Sequence, residues 1–523
     1  MTDPDPRPLS SPATWYEATR VGRPEHPRLG FDLDVDVCVV GAGLAGLTVA
    51  REVARRGWSV AVLEGGRIAE AASGRNTGFV LPGFSENIDA MVERIGLDHT
   101  KQLWALSEQG VDYVRRTIED NNLPGVDPVP GWLRVHQTDE PDRVRADVER
   151  LRWIGADVEM WPTERVRAEL VSRRYFSAMH WRNAFHLHPL NYALGLAQLA
   201  VNAGCRIFEE TPALAIDPAG VRKRIATPNG RVRATHVVFA GNVQLGDVMP
   251  SLSATLLPVT TYVMVTEPLG ERLEQFVRYR GAISDTDRAD NHYRIVDGDR
   301  LMVSGRVRVW QADAGRFAGV LAADIARKFP GIGQVKVAQI WSGTLGRTIH
   351  RMPQIGQMAE GVWVASGFAG HGLNTTAMAG ELIARGIVES DDTWRLFAPY
   401  ELVWAGGRTG AAVAQGLYWW RSAAETVARS LSRYRERRRI AKAERDAAVA
   451  AAGPVIPTER LPAEQLAAAP VASEPPGTDV PAGTLPEGQT ERRKNRSKRR
   501  KTKKTEPEGS PPDAAQSPES TTH

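Results

Sequence analysis

A chain of 523 residues is long enough for two or three folded units and a large core. Its net charge of +4 is unevenly spread: residues 491–504 hold ten Lys or Arg against one Glu, so the remainder is close to −5, and the folded body is not basic enough to read as a nucleic-acid binder. The two cysteines, Cys38 and Cys205, each adjoin an apolar run, so buried reduced thiols in a cytoplasmic compartment are expected rather than a disulfide framework.

Residues 1–34 read as an irregular arm rich in Pro and Arg, with no apolar segment of a secretory signal. The chain contains no run of about 18 apolar residues, so no membrane-spanning helix is expected. From residue 36 to about 400, β-branched runs alternate with helical patterns, which is the signature of an α/β body. DVCVV (36–40), WSVAVLE (58–64), HVVFAG (236–241) and GVWVASG (361–367) read as buried strands. LAGLTVAREVARRG (44–57) reads as an amphipathic helix, and residues 105–122 and 140–155 also carry helical patterns. Residues 256–269 and 292–309 read as longer antiparallel strands of a second, sheet-based unit. Beyond Pro399 the sequence turns helical, first apolar and then strongly basic, to about residue 452. Residues 453–523 are Pro-, Ala-, Glu- and Lys-rich with almost no aromatics, and a disordered tail is expected.

Two C-terminal features have alternative readings. Tyr418, Trp419 and Trp420 beside a basic stretch suit a helix packed on the body, or one lying on the inner face of an anionic membrane. The basic run 491–504 suits a solvated extension, or a site for an anionic partner such as nucleic acid, lipid or an acidic protein; without interleaved aromatics no sequence-specific nucleic-acid reading is expected. No metal-ligand spacing occurs.

The strongest local signal is DVDVCVVGAGLAGLTVAREVARRGWSVAVLEGG (34–66), in which Gly41, Gly43 and Gly46 form G-x-G-x-x-G between a strand and a helix. Gly41 permits the tight turn, Gly43 admits a diphosphate to the backbone, and Gly46 lets the helix approach the strand. Ala42, Leu44 and Ala45 would present N–H groups at the helix start. Glu64, at the end of the next strand with Gly65 after it, can accept a hydrogen bond from a ribose and disfavours a 2′-phosphate. A dinucleotide is expected; FAD and NAD are not separated by this motif.

The segments downstream of Glu64 separate the two cofactors. AASGRNTGFVLPG (71–83), FHLHPLNYALGLAQLAVNAGCRIFEETPALAI (185–216), ATHVVFAGN (234–242), WSGTLGRTIHRMPQIG (341–356) and GVWVASGFAGHGLNTTAMAGELIA (361–384) occur in an order that resembles the D-amino-acid oxidase family of FAD-dependent oxidoreductases. The SGRNTG segment resembles the gamma-glutamylputrescine oxidase branch most. The resemblance implies a Rossmann-type FAD-binding domain assembled from 36–95, 182–255 and 340–398, with a mixed-sheet substrate domain from 96–181 and 256–339. Ser73, Gly74, Arg75, Asn76, Thr77 and Gly78 would run along the pyrophosphate and flavin. Ala213 or Leu214 would touch the adenine by backbone groups, with Ala240 and Gly241 on the strand closing that side. Gly367, Phe368, Gly370, Gly372 and Leu373 would line the pyrimidine side of the flavin, where a helix N-terminus meets the charge that grows on reduction.

The implied chemistry is oxidation of a C–H bond next to an amine nitrogen by hydride transfer to flavin N5, followed by imine hydrolysis, with oxygen or a quinone as the final acceptor. Neither cysteine lies near a flavin segment and Thr77, not His, comes after Asn76, so non-covalent FAD is expected. His371 is the candidate for contact with flavin or substrate, and Tyr293, Arg294 and Arg306 are candidates on the second sheet. Counting back from Pro353, the position at which amino-acid oxidases of this family carry a carboxylate-binding Arg is Leu345, with Arg347 and Arg351 out of register and His350 where an Asp is often found. That points from α-amino acids toward amines, polyamine conjugates or N-alkyl amines. A flavin-fold protein without activity that recruits an anionic partner, and a hydroxy-acid dehydrogenase, are the alternatives.

Overall fold

The computed structural model describes residues 14–286, 291–308, 312–407 and separate positions between 409 and 446. The expected disordered tail, its basic run and most of the basic helical segment lie outside them. Among the described residues no helix is long and apolar enough to cross a membrane.

Two sheets build an α/β body. The first has the strand order Gln354–Ala359, Val362–Ser366, Gly230–Phe239, Leu33–Val40, Val60–Leu63 and Arg206–Phe208. Its central pairings are parallel, with Val37 beside His236 on one side and Val60 on the other. This is why the strand DVCVV is an unbroken apolar run: a parallel strand is covered on both faces. Cys38 and Cys205 are buried there as free thiols, and burial pushes each up to about 12.

Helix Leu44–Arg55 covers one face of this sheet and is itself covered by helix Gly372–Val388. The two approach closely because Gly380 has no side chain; a Cβ there would lie 2.5 Å from Thr48. Helix Leu97–Asn121 meets Gly372–Val388 in the same way, with Gly110 against the Asn374 carbonyl. The start of helix Gly372–Val388 is thereby fixed relative to the glycine motif.

The second sheet has, among the described residues, nine strands, in the order Val337–Arg347, Leu257–Thr266, Arg300–Arg308, Asn291–Val296, Ala282–Asp285, Val129–Val135, Ala178–His186 and Phe79–Val80, with Val158–Trp161 also on Ala178–His186. It is antiparallel except where Ala282–Asp285 runs beside Val129–Val135. Within the segment 292–309, read as extended strand, Asn291–Val296 and Arg300–Arg308 form a hairpin that turns at Asp297 and Gly298, both at positive φ. The domain limits read from the sequence at 181/182 and 339/340 fall inside continuous strands, Ala178–His186 and Val337–Arg347.

The N-terminal arm departs from its expected irregularity. Trp15–Thr19 is a helical turn capped by Thr14, and Tyr16 is fully buried against Trp341 and His188. His188 in turn caps helix Pro189–Asn202 by accepting from the Asn191 N–H at 3.1 Å.

Candidate active site

The glycine motif forms a turn that only small residues permit. Gly41 has φ +109°, and a Cβ there would lie 2.9 Å from the Ala240 backbone of the adjoining strand. A Cβ on Gly46 would lie 2.0 Å from the Gly41 carbonyl oxygen. The first turn of helix Leu44–Arg55 then points N–H groups with no intrahelical acceptor into the open. Ser73 closes this end: its Oγ accepts from the Leu44 N–H at 3.0 Å. The Glu64 carboxylate accepts from the N–H groups of Ala42 at 2.7 Å and Gly66 at 2.9 Å. Burial raises its pKa, opposed by those two N–H groups. A carboxylate has about four acceptor directions, so two remain for a ligand hydroxyl.

From this turn a cavity of about 1420 Å³ runs beneath the second sheet, larger than the roughly 300–1,000 Å³ of common small-molecule sites. At the near end it is lined by Gly41, Gly43, Leu44, Ala45, Glu64, Gly65, Ala213, Ala240 and Gly241. Further along come Ser73, Arg75, Asn76 and Thr77 on one loop, and Phe368, Gly370, His371, Gly372 and Leu373 on another. The Ser85 hydroxyl joins the second loop to the wall, accepting from the Gly370 N–H at 3.1 Å and lying 3.4 Å from His371 Nδ1. Arg75 ties its loop to the second sheet, donating from Nη1 to the Ser342 carbonyl while its own carbonyl accepts from Trp341 Nε1.

Five residues expected at the cofactor stand behind the wall instead. Ala42 and Gly46 are packed inside the turn. Gly74, Gly78 and Gly367 sit where a Cβ would strike the Ala69 carbonyl, the Leu187 carbonyl and the Thr348 methyl group, at 2.4, 2.1 and 2.6 Å. None of the five lines the cavity, and at the three glycines of the loops the missing side chain lets the backbone pack closely.

Alternation along the second sheet decides which side chains face the cavity. One face presents Leu345, Gly343, Thr261, Val263, Ser304, His292, Ser284, Trp132 and Arg134 to it. Tyr293 lies on the other face, and this corrects its expected catalytic role. Its hydroxyl donates to Tyr175, which donates to the Asp285 carboxylate, itself paired with Lys328 at 2.6 Å, all in the core behind the sheet. Tyr293→Phe is therefore expected to leave turnover within about twofold and to lower stability by about 1 kcal/mol, read from steady-state kinetics and urea unfolding. Arg294 is on the near face but sealed below the Asn76–Gly78 loop, so it does not line the cavity. The side chain of Arg306 lies outside the described residues.

His292, one residue before the predicted Tyr293, faces the cavity. Its Nδ1 is 2.7 Å from Ser284 Oγ, which accepts from Trp132 Nε1 at 2.8 Å. Trp132 stacks on Trp181 with ring centres 4.2 Å apart. Arg134 and His136 come after Trp132 on the same face. Sequence reading missed this group although its signal was present: in WLRVH, Leu133 and Val135 alternate with Trp132, Arg134 and His136. Burial, and then the charges of Arg134 and Arg143, push His136 down to about 4, so the fixed positive charge here is the guanidinium. Arg347 and Arg351, out of register by counting, also line the cavity.

A parallel sheet with a glycine turn at its carboxyl edge, opening under an antiparallel sheet, defines a two-sheet dinucleotide-dependent enzyme. The FAD dependent oxidoreductase model, DAO, matches residues 36–385, and the chain belongs to that family. Gamma-glutamylputrescine oxidoreductase of Escherichia coli is 31% identical over 408 residues, covering 76% of this chain and 94% of that protein. The probable oxidoreductase OrdL of Haemophilus influenzae is 29% identical over 371 residues, covering 69% and 85%. The crystal structure of glycine oxidase from Geobacillus kaustophilus shares the fold, with a TM-score of 0.60 at 22% identity over 71% of this chain and 99% of that one.

The residues fit FAD. The glycine turn and helix start suit a diphosphate, Glu64 retains acceptor capacity, and the cavity continues past them between two loops where a flat ring system can lie.

Proposed function

We propose that the chain oxidises the C–H bond next to the nitrogen of an amine that carries an anionic group at its far end, such as a polyamine conjugate. The observation that carries this reading is Arg134. It lies on the cavity wall beyond the Trp132–Trp181 stack, half-buried and without a hydrogen-bond or ion-pair partner among the described residues. Two residues of strand separate it from Trp132, about 6–7 Å. An extended chain can lie on the tryptophans with its carboxylate at the guanidinium and its amine toward His292 and the flavin loops. The leucine at position 345 supports the same orientation, because it presents no carboxylate clamp there. Arg347 and Arg351 stand elsewhere on the wall. The naming of a relative for gamma-glutamylputrescine agrees with this substrate class.

When bound, non-covalent FAD supplies the hydride acceptor, N5. The protein's part is placement and exclusion of water. Trp132, Trp181 and Phe79 form an apolar wall, and His292 is held in one orientation by Ser284 and Phe79. No residue need take a proton from carbon if the amine enters neutral; the imine formed is then hydrolysed by water.

The test is anaerobic addition of amines to the yellow holoenzyme. Flavin absorbance should bleach with amines bearing a distal carboxylate, at concentrations well below those needed for the same amines without it. Bleaching by hydroxy acids alone would overturn the reading. Acid precipitation should release the flavin into solution.

A further inference from the structure

We infer that Arg294 is a positioning charge for the flavin: a buried guanidinium with no counter-ion among the described residues, set beneath the Asn76–Gly78 loop, that stabilises negative charge on the ring system. Arg294 is 4% exposed. Its Nη1 lies 2.8 Å from His186 Nδ1 and its Nη2 donates to the Tyr16 hydroxyl at 3.1 Å. Its Nε is buried without a hydrogen-bond partner among the described residues. An arginine can only donate, so His186 Nδ1 must accept, which places the imidazole proton on Nε2, where it donates to the Arg280 carbonyl at 3.0 Å. His186 is thus neutral, and burial, with the Arg294 charge second, holds it near 3. Burial and the same charge push His188 down to about 4. The Tyr16 phenol is raised by burial and stays protonated, lying 2.8 Å from the Asn76 carbonyl and 3.0 Å from Met302 Sδ. Every partner of the guanidinium is therefore uncharged, and no described carboxylate pairs with it.

A buried ion with no opposite charge is costly, and the geometry points to where that charge comes from. One side of Arg294 faces the loop: a Cβ on Gly78 would stand 3.1 Å from Nη2. Asn76, Thr77 and Phe79, on either side of Gly78, line the cavity. Only one layer of backbone separates guanidinium and cavity, and the low-dielectric surroundings transmit its field. Gly78 and Tyr16 serve the same arrangement, the first by leaving room for the guanidinium and the second by tying it to the loop. Charge set near the ring is the lever by which a protein tunes flavin electronics. The loop runs on from Ser73 at the diphosphate turn toward Phe79 on the second sheet, and the sulfite readout separates a charge acting on the ring from one acting on the phosphates.

The experiment uses the holoenzyme and two readouts besides turnover: the flavin midpoint potential, and the affinity for sulfite, which adds at N5 and leaves negative charge on the ring. Arg294→Met should weaken sulfite binding by about tenfold or more and lower the potential, while Arg294→Lys recovers most of both. Tyr16→Phe removes the tie to the loop but keeps the charge, and should leave sulfite affinity within about twofold. Should the Met variant fail to hold FAD, His186→Asp supplies a carboxylate beside Arg294 and is expected to weaken sulfite binding likewise. Unchanged sulfite affinity and potential in both Arg294→Met and His186→Asp would overturn the inference. So would a loss of FAD affinity with sulfite binding intact, which would assign the charge to the diphosphate.

Discussion

Gly46→Ala is expected to purify without flavin, with FAD affinity reduced at least about 100-fold and the apoprotein itself destabilised by about 3 kcal/mol. The added methyl group would lie 2.0 Å from the Gly41 carbonyl oxygen and 3.1 Å from the Val39 side chain. Neither the turn at Gly41, whose N–H is tied to the Leu63 carbonyl at 2.8 Å, nor the central strand that carries Val39 can give way by the distance needed. The helix must move instead, taking with it the first-turn N–H groups that would face the diphosphate. It is also pinned on its far side, where Thr48 meets Gly380. Gly43→Ala provides the contrast. Its Cβ would meet only the Ser73 Oγ at 3.0 Å, which a change of rotamer relieves. The same methyl group would nevertheless stand where a diphosphate approaches the backbone. Gly43→Ala should therefore lose FAD affinity with an unchanged apoprotein melting temperature, and Gly46→Ala should lose both. Equal melting temperatures for the two apoproteins would show that Gly46 is not a packing residue.

The glycine turn was legible because everything that specifies it is local: an apolar run, three glycines at fixed spacing, a helical pattern and an acid at the end of the next strand. The far wall of the cavity was legible in part. HYRIV carries a period of two, with Tyr293 and Ile295 apolar and His292 and Arg294 polar, and the first pair faces the core behind the sheet. Reading Tyr293 and Arg294 as neighbours at one site ignored that alternation. Arg294 needed more than periodicity. Its lid is Gly78, its partner Tyr16 is 278 residues away, and neither contact has a local signature. Tyr16 belongs to a helical turn of five residues, too short to form alone, so its helicity is a consequence of burial rather than of propensity. Arg351 was set aside because, counted back from Pro353, it does not stand where the family's carboxylate-binding Arg does. It reaches the cavity wall all the same, because the chain folds back at Thr348–Met352, where Thr348 Oγ1 donates to the Met352 carbonyl at 2.8 Å and Arg351 takes a positive φ.

Arg134→Met should raise KM for an amine with a distal carboxylate by about 10- to 100-fold, the value of about 1.5–3 kcal/mol for a hydrogen bond to a charged group. At saturation, kcat should change by less than about threefold, because a contact remote from the reacting carbon is made equally in the ground state and the transition state. For the same amine without its carboxylate, kcat/KM should stay within about twofold of the parent enzyme. Arg134→Lys should fall between, since an ammonium keeps the charge but not the planar pair of donors. The loss should shrink as salt rises, because the guanidinium is only half-buried and its field is partly screened. His136 cannot take over the role: held near 4 by burial and by the Arg134 and Arg143 charges, it is neutral at the pH of the assay. Removal of Arg134 lifts one of those charges and raises the His136 pKa, so the variant should regain carboxylate affinity as the pH falls toward that raised value, while the parent enzyme does not. A KM that rises equally for both amines would place Arg134 in the architecture of the wall and not at the substrate.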